Sequence, residues 1–376
     1  MLERKKLFRQ IPSKTWVEID KGAVRNNIKT FRRIIGNRVK LLAVVKSNAY
    51  GHGLLLFSRL ADAYGVDGFC VDSLEEGIIL REAGIKKCIL VLGFIHPAAF
   101  SFAAGYDITV TISSVASLQV YCALSSPRPK FHMKVDTGMH RQGFSEKEAF
   151  EVVDIYHKKS TFRQGLNGIY THFAAATDMT DQAYTEMQFF SLQRVIEKAK
   201  TVGLNNLTNH CAATGGVLLD KKYHLDAVRI GIGIYGLWPS KKLRMQRGVD
   251  IPLHPVMAWY SIVSEVKELQ KGEYIGYDLT ERAVKRTQIV IIPIGYWHGY
   301  PRTLSSVGTV IIGGKKARII GRVTMDIITV DSKNNSVEVG DVVKLFPCAD
   351  DVARTAGTIN YEFVTRINPE IERRIR

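Results

Sequence analysis

The chain has 376 residues, of which 46% are hydrophobic and 23% charged, the composition of an ordinary soluble protein. No stretch approaches the ~18 consecutive apolar residues of a membrane span, and the N-terminus lacks the apolar core of a signal peptide. The five cysteines are scattered without a CxxC pair, which argues against a zinc site and for a reducing compartment. We therefore expect a cytoplasmic protein without a bound metal.

The formal net charge of +16 is unusually high. A nucleic-acid-binding surface would concentrate lysine and arginine in one motif or on one face, whereas here they are spread along the chain. We expect no nucleic-acid partner and interpret the charge as a solvated basic surface. The basic lead-in segment, residues 1–13, leaves a second interpretation open, because basic segments are attracted to anionic lipid.

Short apolar runs alternate with helical patterns through the first two thirds of the chain. Strands are predicted over Leu41–Val45, Gly68–Val71, Cys88–Gly93, Ile108–Ile112, Lys130–Val135, Gly168–His172, Leu207–Cys211 and Ala227–Ile230. Most of the intervening segments, such as Glu146–Tyr156, have the i, i+3, i+4 apolar spacing of helices. Eight buried strands alternating with helices are typical of a (β/α)₈ TIM-like barrel, which we predict for residues 14–245.

The sequence changes character after Trp238, where two prolines and a basic loop mark a boundary. Shorter strands are then predicted over Met257–Val266, Gln288–Pro293, Gly308–Ile312, Ala317–Val323, Ile327–Val330 and Val342–Phe346. Gly313-Gly314 and Asn334-Asn335 are turn signals between them. Residues 246–376 are therefore predicted to form a smaller, mostly-β domain, and the fold class is α/β.

Lys46 ends the first predicted barrel strand, in the string AVVKSNAYGHG at residues 43–53. A lysine in that position can enter a cleft, and desolvated lysines are competent imine-forming amines. In a barrel of this kind the functional residues lie at the C-terminal ends of the strands. Other polar side chains that fall there are Lys134, Arg141, His172, Thr214 and Arg229. Any one of them could be structural, but their joint placement indicates a site.

The string around Lys46 closely resembles the pyridoxal phosphate attachment motif of the alanine racemase family, and the resemblance extends over essentially the full chain. It implies that Lys46 holds the cofactor as a Schiff base and that Arg229 hydrogen-bonds its pyridine nitrogen. The further cofactor contacts that it implies are Tyr50, His172, Thr214, Gly231 and Ile232. Ala213 stands where the family usually has an asparagine, so one contact near the cofactor is expected to be lost.

The resemblance also implies an amino-acid racemase with one acid/base group on each face of the substrate Cα. Lys46 serves one face. Tyr277, which resembles the tyrosine supplied by the second subunit, serves the other, so a homodimer with shared active sites is expected. The substrate-binding residues implied are Arg141, Met325, Tyr296 and Asp326. Lys134 is similar to a lysine that is often carbamylated and orients that arginine.

One departure from the family bears on the substrate. Gap-free counting puts Pro369, with Asn368 adjacent, where many alanine racemases have a tyrosine that walls the small pocket. Loss of that phenol would let a serine side chain fit, so serine, alanine or both are the expected substrates. The chain also resembles the serine racemase modules of vancomycin-resistance systems, which are parts of membrane-anchored proteins. In either case the D-amino acid would supply peptidoglycan precursors of the cell wall.

Two other functions stay open at this point. One is a related pyridoxal phosphate decarboxylase, although such enzymes pair the pyridine nitrogen with a carboxylate rather than with an arginine such as Arg229. The other is a non-catalytic pyridoxal phosphate carrier, a single barrel without a second domain. The ~130 residues after Trp238 argue against the carrier.

Overall fold

The structure of the protein, a computed structural model, describes residues 12–332 and 336–376. These residues form two compact units. One, which we call the barrel unit, consists of Gly22–Ala49 and Leu54–His254. The other, the C-terminal unit, consists of the described residues up to Lys21, of Tyr50–Gly53 and of Pro255–Arg376. Most of the basic lead-in segment, residues 1–13, lies outside the described residues.

The barrel unit is built on short parallel strands. Numbered after β1 (Thr15–Ile19), which belongs to the C-terminal unit, they are β2 (Lys40–Val44), β3 (Gly68–Val71), β4 (Cys88–Val91), β5 (Val110–Ile112), β6 (Phe131–Lys134), β7 (Leu166–Tyr170) and β8 (Ala227–Ile230). Every residue of β3, β6 and β8 is buried. Burial at consecutive positions is expected for parallel strands that are covered on both faces.

Helices follow or precede most of these strands. They are α1 (Lys21–Ile35), α2 (Leu54–Ala63), α3 (Leu74–Glu82), α4 (Phe100–Gly105), α5 (Val115–Ala123), α6 (Glu146–Tyr156), α7 (Ser160–Gly165), α8 (Ala183–Thr201), α9 (Thr214–Leu219) and α10 (Lys241–Arg247). Local side chains fix several of their starts. Ser73 accepts the Glu76 N–H at the start of α3, and Ser145 and Glu148 form a capping box at the start of α6.

The strands close into a barrel. Two parallel sheets, in the orders β4-β3-β2-β8 and β5-β6-β7, make up its wall. Single bridges join them, between Leu90 and Thr109, between Tyr170 and His210, and between Ala213 and Arg229. Because β8 also pairs with β2, the wall is continuous. The C-terminal ends of all the barrel strands therefore meet at one end of this unit.

The seventh predicted strand differs from the structure. Leu207–Cys211 is not a continuous strand but is connected through isolated bridges. The His210 N–H donates to Ile169 of β7, whereas Ala212 accepts from Arg229 of β8. The segment bonds to both sides along its length, since the Thr208 N–H also donates to Asn167 of β7 and Asn209 accepts the Asp226 N–H just before β8. These bonds give isolated bridges rather than a continuous ladder.

The C-terminal unit is mostly β. Its strands are β9 (Met257–Ile262), β10 (Glu265–Leu269), β11 (Tyr274–Ile275), β12 (Glu281–Arg282), β13 (Thr287–Ile292), β14 (Thr309–Ile312), β15 (Lys315–Ile320), β16 (Ile328–Asp331), β17 (Val342–Lys344) and β18 (Glu372–Ile375), with helices α11 (Ala349–Thr355) and α12 (Asn360–Thr365). Nine strands form one sheet in the order β10-β13-β16-β15-β14-β17-β9-β1-β18, and β11 pairs with β12.

Strand β1 was not predicted from the sequence. It pairs antiparallel with β9 and parallel with β18, and its burial alternates. Val17 and Ile19 are fully buried, which gives the period-two pattern of a strand with one covered face. The predicted α/β class, a barrel and a mostly-β unit, is confirmed. The domain boundaries 14–245 and 246–376 stay predictions. Among the described residues, no helix is both long and apolar enough to cross a membrane.

Candidate active site

Cationic side chains gather at the C-terminal end of the barrel. Lys134 ends β6, Arg229 lies in β8, and Lys46 follows β2 by two residues. Lys134 is buried; that burial, then the charges of Arg141 and Arg229, lower its pKa to about 8. Its ammonium nitrogen donates to Gln142 Oε1 at 3.3 Å. The nearby charges show that the predicted residues at different strand ends share one electrostatic environment.

Arg229 is 2% exposed and is held on several sides. One terminal nitrogen donates to the carbonyl oxygens of Thr171 at 2.8 Å and Cys211 at 3.1 Å. The same nitrogen lies 3.2 Å from His172 Nδ1, and the other donates to His210 Nδ1. Burial lowers the pKa of Arg229, although guanidinium remains protonated in proteins. The contacts fix the guanidinium plane without neutralising it with a carboxylate.

Two histidines continue this network into the barrel core. His210 Nε2 lies 2.8 Å from His132 Nδ1. Because Arg229 is a donor, His210 Nδ1 must accept, so His210 Nε2–H donates to His132. Burial and the charge of Arg229 lower the pKa of His132 to about 3 and that of His210 well below its ordinary value. Both imidazoles are therefore neutral, and His132 Nε2 has no hydrogen-bond partner among the described residues.

His172 is neutral for the same reasons. Burial has the largest effect on its pKa, and the nearby positive charges add to it. Together they lower the pKa to about 3; the charges are those of Arg229, Arg141, Lys134 and Lys46. A neutral imidazole can accept a hydrogen bond, which an imidazolium cannot.

The Lys46 amine faces a carboxylate. Its Nζ lies 3.2 Å from Asp72 Oδ1, and both side chains are partly exposed. The next four residues, Ser47 to Tyr50, all have φ between 51° and 56°. This left-handed conformation costs about 1–2 kcal/mol per non-glycine residue. A strained turn therefore directly follows the candidate amine.

The loop that carries Arg141 is organised by a carboxylate. Asp136 accepts the backbone N–H groups of Gly138, His140 and Arg141, at 3.0, 3.0 and 3.1 Å. Burial alone would raise the pKa of Asp136, but these three donors hold it below its ordinary value. The ionised carboxylate thus shapes the turn between β6 and α6 and leaves the Arg141 guanidinium exposed.

Three of the predicted cofactor contacts, Thr214, Gly231 and Ile232, lie in turns that contain small residues. Thr214 starts α9, and its hydroxyl accepts the Gly233 N–H at 3.3 Å. Gly231 and Ile232 are buried where a 3₁₀ turn begins after β8. Ala213, the N-cap of α9, makes no side-chain capping bond. Backbone N–H groups and a hydroxyl at such turns form a donor set that suits a phosphate dianion.

The remaining predicted residues belong to the C-terminal unit. Tyr277 opens a 3₁₀ turn after Gly276 and is 69% exposed. Asp278 has φ 61° and pairs with Arg322 at 2.7 Å. This ion pair links the turn that carries Tyr277 to the segment that leads to Met325, which is 54% exposed.

Met325, Tyr296 and Asn368 are connected through backbone groups. The Tyr296 N–H donates to Thr324, one residue before Met325, at 3.0 Å, and Asn368 Nδ2 donates to Trp297 O at 3.2 Å. Asn368 Oδ1 accepts the Glu370 N–H at 2.9 Å, so both ends of this amide are already engaged. The structure thus brings these three predicted residues into one region of the unit.

Asp326 and Tyr50 also lie in the C-terminal unit. Asp326 Oδ1 is 3.9 Å from His298 Nδ1. The ring of Tyr50 lies 6.0 Å from that of Tyr361, between ring centroids. Sequence reasoning missed His132, His210 and Asp72 altogether. Asp72 follows β3 directly, so its strand-end position was a usable signal, whereas the two histidines gave none.

The sequence matches the alanine racemase N-terminal domain over residues 19–239 and the alanine racemase C-terminal domain over residues 256–375. Alanine racemase of Desulforamulus reducens is 37% identical over 366 residues, 95% of this chain and 98% of the relative. Alanine racemase 1 of Bacillus subtilis is 37% identical over 368 residues, 96% of this chain and 92% of the relative.

Solved structures agree. Alanine racemase from D-cycloserine-producing Streptomyces lavendulae superposes with a TM-score of 0.90 at 30% identity, over 98% of both chains. Alanine racemase from Bacillus anthracis with bound L-Ala-P superposes with a TM-score of 0.88 at 32% identity, over 97% of this chain and 96% of that chain. Both domains are matched along nearly their whole length, and the cation cluster suits an anionic cofactor. The chain belongs to the alanine racemase family, whose members are isomerases that depend on pyridoxal phosphate.

Proposed function

We propose that the protein interconverts the L and D forms of a small amino acid, alanine and/or serine, by a two-base mechanism. The observation that carries the proposal is the position of Lys46, an amine at a strand end among Lys134, Arg141 and Arg229. The reaction needs one group that binds the cofactor covalently, one that fixes the substrate carboxylate, and proton carriers on two faces.

The barrel residues would hold the cofactor. Lys46 would bind it covalently, and Thr214, Gly231 and Ile232 would surround its phosphate, with Tyr50 as a further contact. When bound, pyridoxal phosphate draws electron density from the substrate Cα and so makes its proton removable. Arg229 would donate a hydrogen bond to the pyridine nitrogen. Because guanidinium does not give up its proton, this nitrogen would stay unprotonated, which favours return of the proton to Cα.

Lys46 Nζ and Tyr277 Oη would exchange protons with opposite faces of Cα. Because His172 Nδ1 faces the Arg229 donor, the Nε2–H of the neutral imidazole would donate a hydrogen bond to the tyrosine oxygen. Since Tyr277 is 69% exposed, we propose that a second copy of the chain provides the tyrosine of each site, which makes the protein a homodimer. Arg141 would bind the substrate carboxylate, supported by the backbone of Met325, while Tyr296 and Asp326 would line the entrance.

Lys134 is proposed to be carbamylated. With a pKa of about 8, a substantial fraction of its amine is neutral at pH 8. A neutral amine adds to CO₂, releases one proton and becomes an anionic carbamate that can orient Arg141. Protein equilibrated with ¹³C-bicarbonate should show a carbamate signal by ¹³C NMR that Lys134→Gln removes. A wild-type spectrum without that signal would reject the modification.

The experiment that tests the activity measures D-product formation from L-alanine and L-serine by chiral chromatography. We expect D-alanine, and a kcat/KM for serine lower by a factor within about 10–200. Both polar ends of Asn368 are engaged by backbone groups, so binding of serine would depend on the space beside Pro369 rather than on that amide.

Release of CO₂ without D-product would instead identify a decarboxylase. Cofactor binding with neither product would identify a carrier. The supply of peptidoglycan precursors and a cytoplasmic location belong to the same proposal.

A further inference from the structure

The strained turn after Lys46 is held by a glutamate from the neighbouring strand-helix connection. Glu76, in the first turn of α3, directs its carboxylate back toward the barrel strands. Its Oε1 accepts the Asn48 N–H and its Oε2 accepts the Asp72 N–H, each at 3.0 Å. One carboxylate thus bridges the backbones that follow β2 and β3. Charge-assisted bonds of this kind are stronger than those between neutral groups.

The two bridged residues flank the amine. The parallel pairing of Val44 with Cys70 puts Lys46 opposite Asp72, and their side chains meet at 3.2 Å. Asn48 comes two residues after Lys46 and has φ 56°, ψ 43°. Its own side chain accepts the Leu54 N–H at 2.8 Å, at the start of α2. The Glu76 carboxylate therefore controls both the turn that leaves Lys46 and the backbone of the residue that faces it.

We propose that Glu76 is a positioning residue for Lys46. It touches neither substrate nor cofactor, and it acts by fixing the backbone from which the amine projects. The inference rests on the proposed function, which gives the Lys46 amine two roles, cofactor attachment and proton transfer at Cα. Both roles require the amine to be in place. Displacement of a reacting group by about 1 Å can lower a rate by as much as 10²-fold.

The test uses Glu76→Gln in the full-length holoenzyme. Glutamine offers a single acceptor oxygen, so one of the two backbone N–H groups loses its partner while the side chain keeps its size. We expect kcat to fall by about 10-fold or more, with KM changed less than about 3-fold. The visible circular dichroism of the bound cofactor should change as well, because it reports the orientation of the Lys46 linkage. A structural defect alone would shift the thermal midpoint without altering this spectrum.

Glu75→Gln is the matched control. Glu75 is the adjacent carboxylate in the same first helical turn, and it bonds the Ser73 hydroxyl instead of the strand ends. Its variant should keep the wild-type kcat and cofactor spectrum. Wild-type values for Glu76→Gln in both measurements, in folded protein, would overturn the inference.

Asp72→Asn is a second variant, which keeps the backbone bridge and loses only the charge facing Lys46. It should therefore lower kcat less than Glu76→Gln does. A larger loss of kcat than in Glu76→Gln would assign the effect to the ion pair and overturn the inference too.

Two measurements on the wild-type holoenzyme keep the outcomes separate. Borohydride reduction followed by peptide mass spectrometry shows whether the cofactor is attached to Lys46. Its absence there would reject the proposed function rather than the role of Glu76. Amide hydrogen exchange at Asn48 and Asp72 should be slow, because both N–H groups are bonded. Fast exchange at either amide, with the cofactor on Lys46, would overturn the bridge even if the Glu76 variant did not fold.

Discussion

The two units differ in how far several of their candidate functional residues are exposed. In the barrel unit, Arg229 is 2% exposed and Lys134 is 5% exposed, and burial lowers the pKa of each. In the C-terminal unit, Tyr277 is 69% exposed and Met325 is 54% exposed. The barrel groups are thus preorganised within one chain. Tyr277 is carried by a turn that leaves its phenol open to solvent, which is consistent with a residue used by a second copy.

The largest effect is expected at Lys46. Lys46→Ala should abolish the visible absorbance of the bound cofactor and lower kcat/KM by at least about 10³-fold, because both attachment and proton transfer on one face are lost. Absorbance spectroscopy and chiral product analysis measure the two effects. Lys40→Ala, at the exposed start of the same strand, is the control and should behave as wild type. A Lys46→Ala protein that keeps its cofactor band would contradict the assignment.

Tyr277→Phe should lower kcat by about 10²–10³-fold, because a proton carrier is lost on the other face. Since the phenol is exposed, the thermal midpoint should hardly move. Tyr274→Phe, three residues earlier and 51% exposed, should retain full activity. Steady-state kinetics and thermal denaturation check these expectations. If Tyr277→Phe racemises as fast as wild type, this residue is not the second base.

Mixing the Lys46→Ala and Tyr277→Phe proteins distinguishes a shared site from one built within a single chain. If each site combines Lys46 of one copy with Tyr277 of the other, a mixed dimer regains one intact site. Activity should then rise well above that of either variant once subunits have exchanged. No gain, with exchange verified by mass spectrometry of labelled subunits, would count against the shared site.

The buried histidines make the barrel unit sensitive to acid. His132 has a pKa of about 3, below the ordinary value near 6.5, so between these values the unfolded chain binds more protons than the folded one. His132 therefore does not change the free energy of unfolding above pH 6.5 but lowers it as the pH falls below that value. At pH 5 the decrease is about 2 kcal/mol for one such group. In His132→Gln, the decrease in thermal midpoint between pH 7.5 and 5 should be smaller. An equal decrease in both proteins would be inconsistent with this assignment.

The smallest effect is expected at the ion pair beside Tyr277. The Asp278 and Arg322 side chains are 61% and 34% exposed, and exposed pairs typically contribute less than about 1 kcal/mol. Asp278→Asn should shift the thermal midpoint by only about 1–2 °C. Arg322→Gln should have the same small effect, and the double variant should add little. A loss of several degrees would show that this turn is held more firmly than its exposure indicates.

Much of the fold followed from local patterns. Apolar runs such as Gly68–Val71 and the helical period of Glu146–Tyr156 match the structure at both bounds. Leu207–Cys211 did not, because its pairing through isolated bridges depends on two neighbouring strands rather than on local composition. Strand β1 was missed although its sequence alternates, since its partners β9 and β18 lie more than 230 residues away.

The residues of the candidate site also differ in whether local sequence patterns could predict them. Strand ends indicated Lys46, Lys134 and Arg229, because parallel strands bring their ends together. The His132–His210 pair was not predictable, since Arg229 sets its tautomers through long-range contacts. Arg229 and His210 are 19 positions apart in the sequence, and His210 and His132 are 78 positions apart. Glu76 gave no sequence signal either, because a glutamate in a first helical turn is ordinarily only a favourable charge.

The place of β1 has a consequence for biosynthesis. Of the strands that the structure describes, β1 is synthesised first, but its partner β9 begins at Met257, about 240 residues later. At about 5–20 residues per second, the interval is on the order of tens of seconds. During that time, Val17 and Ile19 have no sheet to enter while the barrel sequence is being completed. A fragment limited to residues 256–376 would lack the strand between β9 and β18, so the C-terminal sheet can be completed only by a chain that also carries β1.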